Sequence, residues 1–120
     1  MSVVREISEE DNKLIALARG ARARAGSPEG AAVRDDTGRS YSAATVDLPS
    51  VKLTALQLSV ATAASAGAAG CESAVVVTGA TAVDALDLAA IRDLAGDDVP
   101  VLLCDLRGEV IASVSSGSGA

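Results

Sequence analysis

One long segment of the chain, residues 53–71, contains no charged side chain. Its sequence, LTALQLSVATAASAGAAGC, mixes leucine, valine and alanine with small polar residues and glycine. The segment is about long enough to cross a bilayer, but its polar side chains and glycines argue against a membrane span. A helix that is small and apolar on every side is typical of the middle of a soluble core. We therefore predict a buried helix over residues 53–66, closed by Gly67 in a left-handed conformation, and no membrane partner.

The remaining sequence predicts two more helices and a set of strands. Ser8 followed by three acidic residues indicates a helix start, and Asp84 begins a second apolar pattern at helical spacing. The segments are helices at 9–25 and 84–95, a hairpin at 30–33 and 39–46, and strands at 74–78, 101–105 and 109–114. This order predicts an α/β fold, a three-layer α/β/α sandwich with a mixed sheet of four or five strands. We expect one domain over residues 9–114 with flexible ends at 1–8 and 115–120.

Composition restricts the partners and the location that we expect. The net charge is −6 and Tyr41 is the single aromatic residue, which argues against nucleic-acid binding. Cys71 and Cys104 stand too far apart for a paired zinc motif or a disulfide framework, and the N-terminus lacks the pattern of a signal peptide, so we predict a cytoplasmic protein. A core of Ala, Val and Leu gains little per buried side chain, which favours a homo-oligomer, a dimer or a tetramer.

Several motifs occur in the order in which one enzyme family carries them. They are an Ala-rich first helix at residues 14–25, GAAV at 30–33, DTG at 36–38, TVD at 45–47, TAL at 54–56 before SAG at 65–67, and the last strands at 101–105 and 108–110. In this pattern the chain resembles the small tetrameric cytidine deaminases over roughly residues 12–114. The resemblance implies the α/β sandwich of that family and a pocket for a nucleoside.

The departures from the family pattern fall on its catalytic residues. In the family, three Cys or His ligands hold a zinc ion that activates water, and a glutamate transfers the proton. Counting back from SAG places Thr54 on the first ligand and Leu56 on the glutamate, and the expected cysteine pair falls near residues 83–87, where there is none. The chain also has no histidine. We therefore predict no zinc, no other cofactor and no catalytic residue, with Thr54 and Leu56 as vestigial positions.

A few polar residues remain as candidates for weak ligand binding. Asp84 and Asp87 are three residues apart at a helix start and could face one ligand, but capping and the helix dipole explain them better. The resemblance places Asp47 at a ribose contact, although an acid at a strand end is usually solvated. Thr54 and Gln57 carry a hydroxyl and an amide near the vestigial pocket, and capping by Thr54 explains that residue equally well.

Three functions are compatible with this sequence. The first is a deaminase-like protein without deaminase activity that binds a nucleoside-like small molecule or another protein, in a binding or regulatory role. The second is a hydrolase of the cytidine deaminase type, acting on a nucleoside or related amine through a non-standard site recruited from Asp84, Asp87 or a cysteine. The third is a structural oligomer that presents a surface to another protein.

Overall fold

The computed structural model describes residues 7–118, and its main element is a five-stranded mixed sheet. The strands are β1 (Gly30–Asp35), β2 (Ser40–Ala44), β3 (Val46–Asp47), β4 (Lys52–Leu53), β5 (Cys71–Val77), β6 (Pro100–Cys104) and β7 (Val110–Ser115). The sheet order is β2-β1-β5-β6-β7, and β3 pairs with β4 in a separate ribbon. β5 and β6 are parallel, whereas the other pairs are antiparallel. The predicted mixed sheet is confirmed.

In the described part of the chain three helices accompany the sheet, and local capping explains where they begin and end. They are α1 (Glu9–Ala25), α2 (Ala55–Ser65) and α3 (Ala85–Ala95). Ser8 caps α1 by accepting a hydrogen bond from the Asp11 amide at 3.0 Å. α2 ends with Gly67 at φ +94° and with the Ala68 amide bonded to the Ala63 carbonyl, the arrangement of a Schellman motif. No helix within residues 7–118 has the length and apolar content needed to span a membrane.

The helices cover both faces of the sheet, so the three-layer prediction is also confirmed. α1 lies on one face, where Leu14, Ile15 and Ala18 pack against Ala32, Val75, Val77, Leu102 and Cys104. α2 and α3 lie on the other face, where Leu56, Val60, Leu88 and Ile91 pack against Ala31, Val33, Val76 and Val101. Successive residues of β1 and β5 alternate between these two clusters, as the pleat of a strand requires.

The approach of α1 to β1 depends on one glycine. A Cβ atom built on Gly30 would lie 2.0 Å from the carbonyl oxygen of Ala18 and 2.9 Å from Cβ of Arg22. Because the obstructing atom is backbone, a side chain at this position would force the helix away from the strand. Gly30 therefore fixes how closely the first helix packs on the sheet.

The segment between β2 and α2 differs from the prediction. The second hairpin strand was expected to run through residue 46, with a helix from residue 53. Instead β2 ends at Ala44, and the chain forms the β3–β4 ribbon around a turn from Leu48 to Val51. α2 begins two residues later than expected because Thr54, whose backbone is extended, caps it.

The two ends of the chain were predicted to be flexible. Residues 1–6 and 119–120 lie outside the described residues. Ser115 closes β7, and Ser116 is fully buried. The Ser116 hydroxyl donates to the Gly96 carbonyl at 2.6 Å and accepts from the Val99 amide at 3.1 Å. The structure thus places Ser115 and Ser116 in the domain rather than in a tail.

Candidate functional site

A cleft of about 670 Å³ opens where the parallel strands β5 and β6 end. It is bounded by the loop after α1, the β3–β4 ribbon and the N-terminal ends of α2 and α3. The residues that line the cleft include Glu29, Thr45, Thr54, Gln57, Thr78 and Leu86. Ligand sites of open α/β sheets lie beyond the carboxyl ends of parallel strands, so the position and the volume both fit a small-molecule site.

Thr54 stands at the inner end of this cleft as the N-cap of α2. Its hydroxyl accepts a hydrogen bond from the Gln57 amide at 3.0 Å, and the Gln57 side chain accepts one from the Thr54 amide at 2.9 Å. These reciprocal bonds form a capping box. The oxygen of the Thr54 hydroxyl therefore serves as a helix cap, as one of the two interpretations expected. The side-chain oxygen of Gln57 is part of the same cap.

The proton of the Thr54 hydroxyl is donated to Asp87, which lies in the first turn of α3. The two residues are 33 positions apart, so this bond joins the starts of the two helices. Asp87 is 1% exposed. Burial raises the pKa of its carboxyl to about 6, the Thr54 hydrogen bond opposes the rise, and the negative charges of Glu29 and Asp84 add to it.

Leu56 does not face the cleft. Its side chain is 0% exposed and belongs to the apolar cluster between α2, α3 and the sheet. Full burial of a leucine is worth roughly 1.5 to 3 kcal/mol. At this position the chain therefore carries a core residue, with no group that can exchange a proton.

The residues near the cleft do not fit a zinc ion. Structural and catalytic zinc sites use thiolates, imidazoles or carboxylates in sets of three or four. Here the hydroxyl of Thr54 and the carboxylate of Asp87 satisfy each other, and Cys104 lies on the α1 face of the sheet. Burial raises the pKa of the Cys104 thiol to about 11, which disfavours the thiolate that binds metal. Within residues 7–118, no three Cys, Asp or Glu side chains are grouped to hold a metal ion.

The remaining predicted residues lie apart from this pair. Asp84 is exposed and caps α3 by accepting a hydrogen bond from the Leu86 amide at 2.8 Å, so it does not share a ligand position with Asp87. Asp47 is on β3 at the rim of the cleft, where it binds the Lys52 ammonium at 2.7 Å. The structure brings Thr54, Gln57 and Asp87 together, and it leaves Asp47 and Asp84 in structural roles at the periphery.

Sequence reasoning missed three cleft residues. Glu29 directly precedes β1, and one of its carboxylate oxygens accepts a hydrogen bond from the Thr78 hydroxyl at 2.9 Å. Thr78 follows β5 and is buried. The hydroxyl of Thr45 is inaccessible and has no hydrogen-bond partner within the described chain. The sequence did contain a signal: Glu29 is a charged residue directly before the GAA start of a strand, where an apolar residue would be expected.

Comparison with known proteins agrees with this architecture. A family model described as "Cytidine deaminase-like" matches residues 7–108. The structure is similar to the cytidine deaminase from Burkholderia pseudomallei, with TM-score 0.79 and 20% identity over 92% of this chain and 94% of that one.

Two mycobacterial structures show the same similarity. The cytidine deaminase from Mycobacterium leprae gives TM-score 0.72 and 15% identity over 91% of this chain and 95% of that one. A mutant cytidine deaminase from Mycobacterium tuberculosis gives TM-score 0.65 and 19% identity over 80% and 85%. No curated protein sequence matches the chain significantly.

Proposed function

This chain belongs to the cytidine deaminase-like family, and we propose that it is a binding protein of that family without deaminase activity. One observation carries the proposal. The position that the resemblance assigns to the proton-transferring glutamate is occupied by Leu56, which is buried in the core. Loss of a general acid/base alone costs roughly 10² to 10⁴ in rate. A leucine at this position therefore removes a step that the chemistry of the family requires.

The hydrogen bonds of the Thr54 hydroxyl support the same proposal. Zinc ligands in proteins are thiolates, imidazoles and carboxylates, and a neutral hydroxyl is not among them. The Thr54 oxygen already accepts from the Gln57 amide, and its proton is given to Asp87. We propose that this hydrogen bond takes over the structural task of joining α2 to α3, so that zinc is neither bound nor needed.

The cleft supports a binding role rather than a purely structural one. Sites for small molecules have volumes of about 300 to 1,000 Å³ and are mainly apolar, with a few fixed polar groups. This cleft measures about 670 Å³, with Leu53, Leu86 and Leu106 among its apolar walls. We propose a small molecule of nucleoside size as the ligand, in a cytoplasmic protein.

We also propose that the chain is a homo-oligomer, a dimer or a tetramer. Several large apolar side chains of the described residues are exposed: Leu48, Val51, Leu86, Leu106 and Ile111. Leu48 and Val51 flank the turn of the β3–β4 ribbon, and an isolated ribbon of this size is not stable by itself in water. Cover from a second subunit would account for both features.

The test combines metal content, activity and ligand binding on one preparation. Protein purified without chelators should contain far less than one zinc per chain by elemental analysis and should not convert cytidine to uridine. One zinc per chain, or turnover of cytidine, would overturn the proposal. Turnover abolished by Asp87→Ala would instead favour an enzyme with a non-standard site.

Thermal unfolding with a panel of nucleosides tests the binding role. A ligand at 100 times its Kd stabilises the native state by about 2.7 kcal/mol, which corresponds to a shift of several degrees for a domain of this size. Ala80→Phe places a large side chain in the cleft and should remove the shift. Ala82→Phe, at an exposed position outside the cleft, is the matched control and should retain it.

A further inference from the structure

Among the described residues that line the cleft, Glu29 is the acid that has no cationic partner. The ion pairs among residues 7–118 do not include it, whereas the other cleft acid, Asp47, is paired with Lys52. Its single side-chain hydrogen bond within the described chain comes from the buried Thr78 hydroxyl and engages one carboxylate oxygen. That bond holds the carboxylate in place and leaves its second oxygen available as an acceptor.

The surroundings of Glu29 increase the local negative charge. A second acid, the buried Asp87, lies close enough for the negative charge of Glu29 to raise its pKa. The two cationic residues that line the cleft are bonded to groups other than the Glu29 carboxylate. Lys52 is exposed and bonded to Asp47, and Arg22 directs its Nε atom to the Pro28 carbonyl at 3.4 Å. A partly buried carboxylate without a counter-charge attracts a cation more strongly than one in water.

The rest of the cleft wall determines what else a ligand must present. Leu53, Leu86 and Leu106 supply apolar surface. An apolar body can therefore lie against the leucines while a polar head reaches the carboxylate. Resting on the proposed binding role of the cleft, we infer that its ligand is a small apolar molecule with a cationic nitrogen group, an amidinium or ammonium, and that Glu29 binds this group.

Three isosteric probes test the inference: benzamidine, which is cationic, benzamide, which is neutral, and benzoate, which is anionic. Binding of each is measured by calorimetry and by thermal unfolding on wild-type protein, Glu29→Gln and Glu109→Gln. Glutamine at position 29 keeps an oxygen that can accept the Thr78 hydroxyl, so the fold is preserved. Glu109 is an exposed acid outside the cleft and provides the matched control.

We expect benzamidine to bind the wild type and Glu109→Gln more tightly than benzamide or benzoate does. Its affinity should fall roughly tenfold or more in Glu29→Gln, as expected for the loss of a charged hydrogen bond. Equal binding of benzamide and benzamidine, unchanged benzamidine affinity in Glu29→Gln, or preferred binding of benzoate through Arg22 would each overturn the inference.

The same measurements separate this inference from the proposed function. If none of the three probes binds but a neutral nucleoside raises the unfolding midpoint, the inference is wrong and the binding role of the cleft stands. If neither the probes nor any nucleoside binds, both are wrong.

Discussion

Replacing Asp87 with asparagine should change how the stability of the protein depends on pH. Burial raises the pKa of Asp87 to about 6 from an ordinary 3.8, and Glu29 and Asp84 add to the rise. A carboxyl group whose pKa is higher in the folded state favours folding while it is protonated. That contribution is fully present below the unfolded value and is lost as the pH rises through about 6.

The magnitude follows from the two pKa values. At about 1.4 kcal/mol per pKa unit, the loss between pH 4 and pH 8 amounts to about 2 to 3 kcal/mol. Asparagine accepts the hydrogen bond of Thr54 but does not ionise. The free energy of unfolding of the wild type, relative to that of Asp87→Asn, should therefore fall by this amount over the same pH range.

Urea unfolding followed by far-UV circular dichroism measures the difference, with both proteins at each pH. Other titrating groups are common to the two proteins and cancel. Asp93→Asn, which removes an exposed acid from the same helix α3, is the matched control for the substitution itself. A constant difference between wild type and Asp87→Asn from pH 4 to pH 8 would refute the assignment of Asp87 as a buried group with a raised pKa.

Two further predictions concern the packing of the domain. Gly30→Ala should lower the free energy of unfolding by several kcal/mol, because its methyl group would overlap the Ala18 carbonyl. Gly79→Ala, where nothing obstructs a Cβ atom, should cost less than about 1 kcal/mol, and equal losses in urea unfolding would contradict the steric argument. Ser116→Ala should cost about 1 to 3 kcal/mol, because it leaves the buried Val99 amide without its partner. The exposed Ser113→Ala should be close to neutral in the same assay, and a neutral Ser116→Ala would show that the end of the chain is not held to the domain.

The parts of the fold that the sequence predicted well are those in which local chemistry and burial agree. Ser8 and the three acidic residues after it predicted the start of α1, Gly26 with Ser27 and Pro28 predicted its end, and Asp84 was placed correctly at the start of α3. The β-branched run that became β5 is covered on both faces, as its continuous apolar pattern indicates. In these segments no distant contact had to be known.

The errors concern one short local pairing and two contacts between residues distant in the sequence. The β3–β4 ribbon forms because Val46 pairs with Leu53 across a turn containing Pro49, and periodicity does not reveal so short a pairing. Asp87 was interpreted as a first-turn acid that serves the helix dipole or faces a ligand, but its position relative to Thr54 depends on how α2 and α3 pack. The role of Glu29 likewise depends on Thr78, 49 residues away.

β5 is the central strand of the sheet, and its pairing with β1 and with β6 requires the closure of two long loops, one for each neighbour. These closures bear on the rate of folding. The β1–β2 hairpin closes over a few residues, so it can form early by local search. β5 must find β1 across the whole of α2, and β6 must reach β5 across α3. Because the entropy of loop closure must be lost before such contacts form, we expect insertion of β5 between β1 and β6 to limit the folding rate. Substitutions in β5 should then slow refolding, whereas those on the outer face of α3 should mainly speed unfolding.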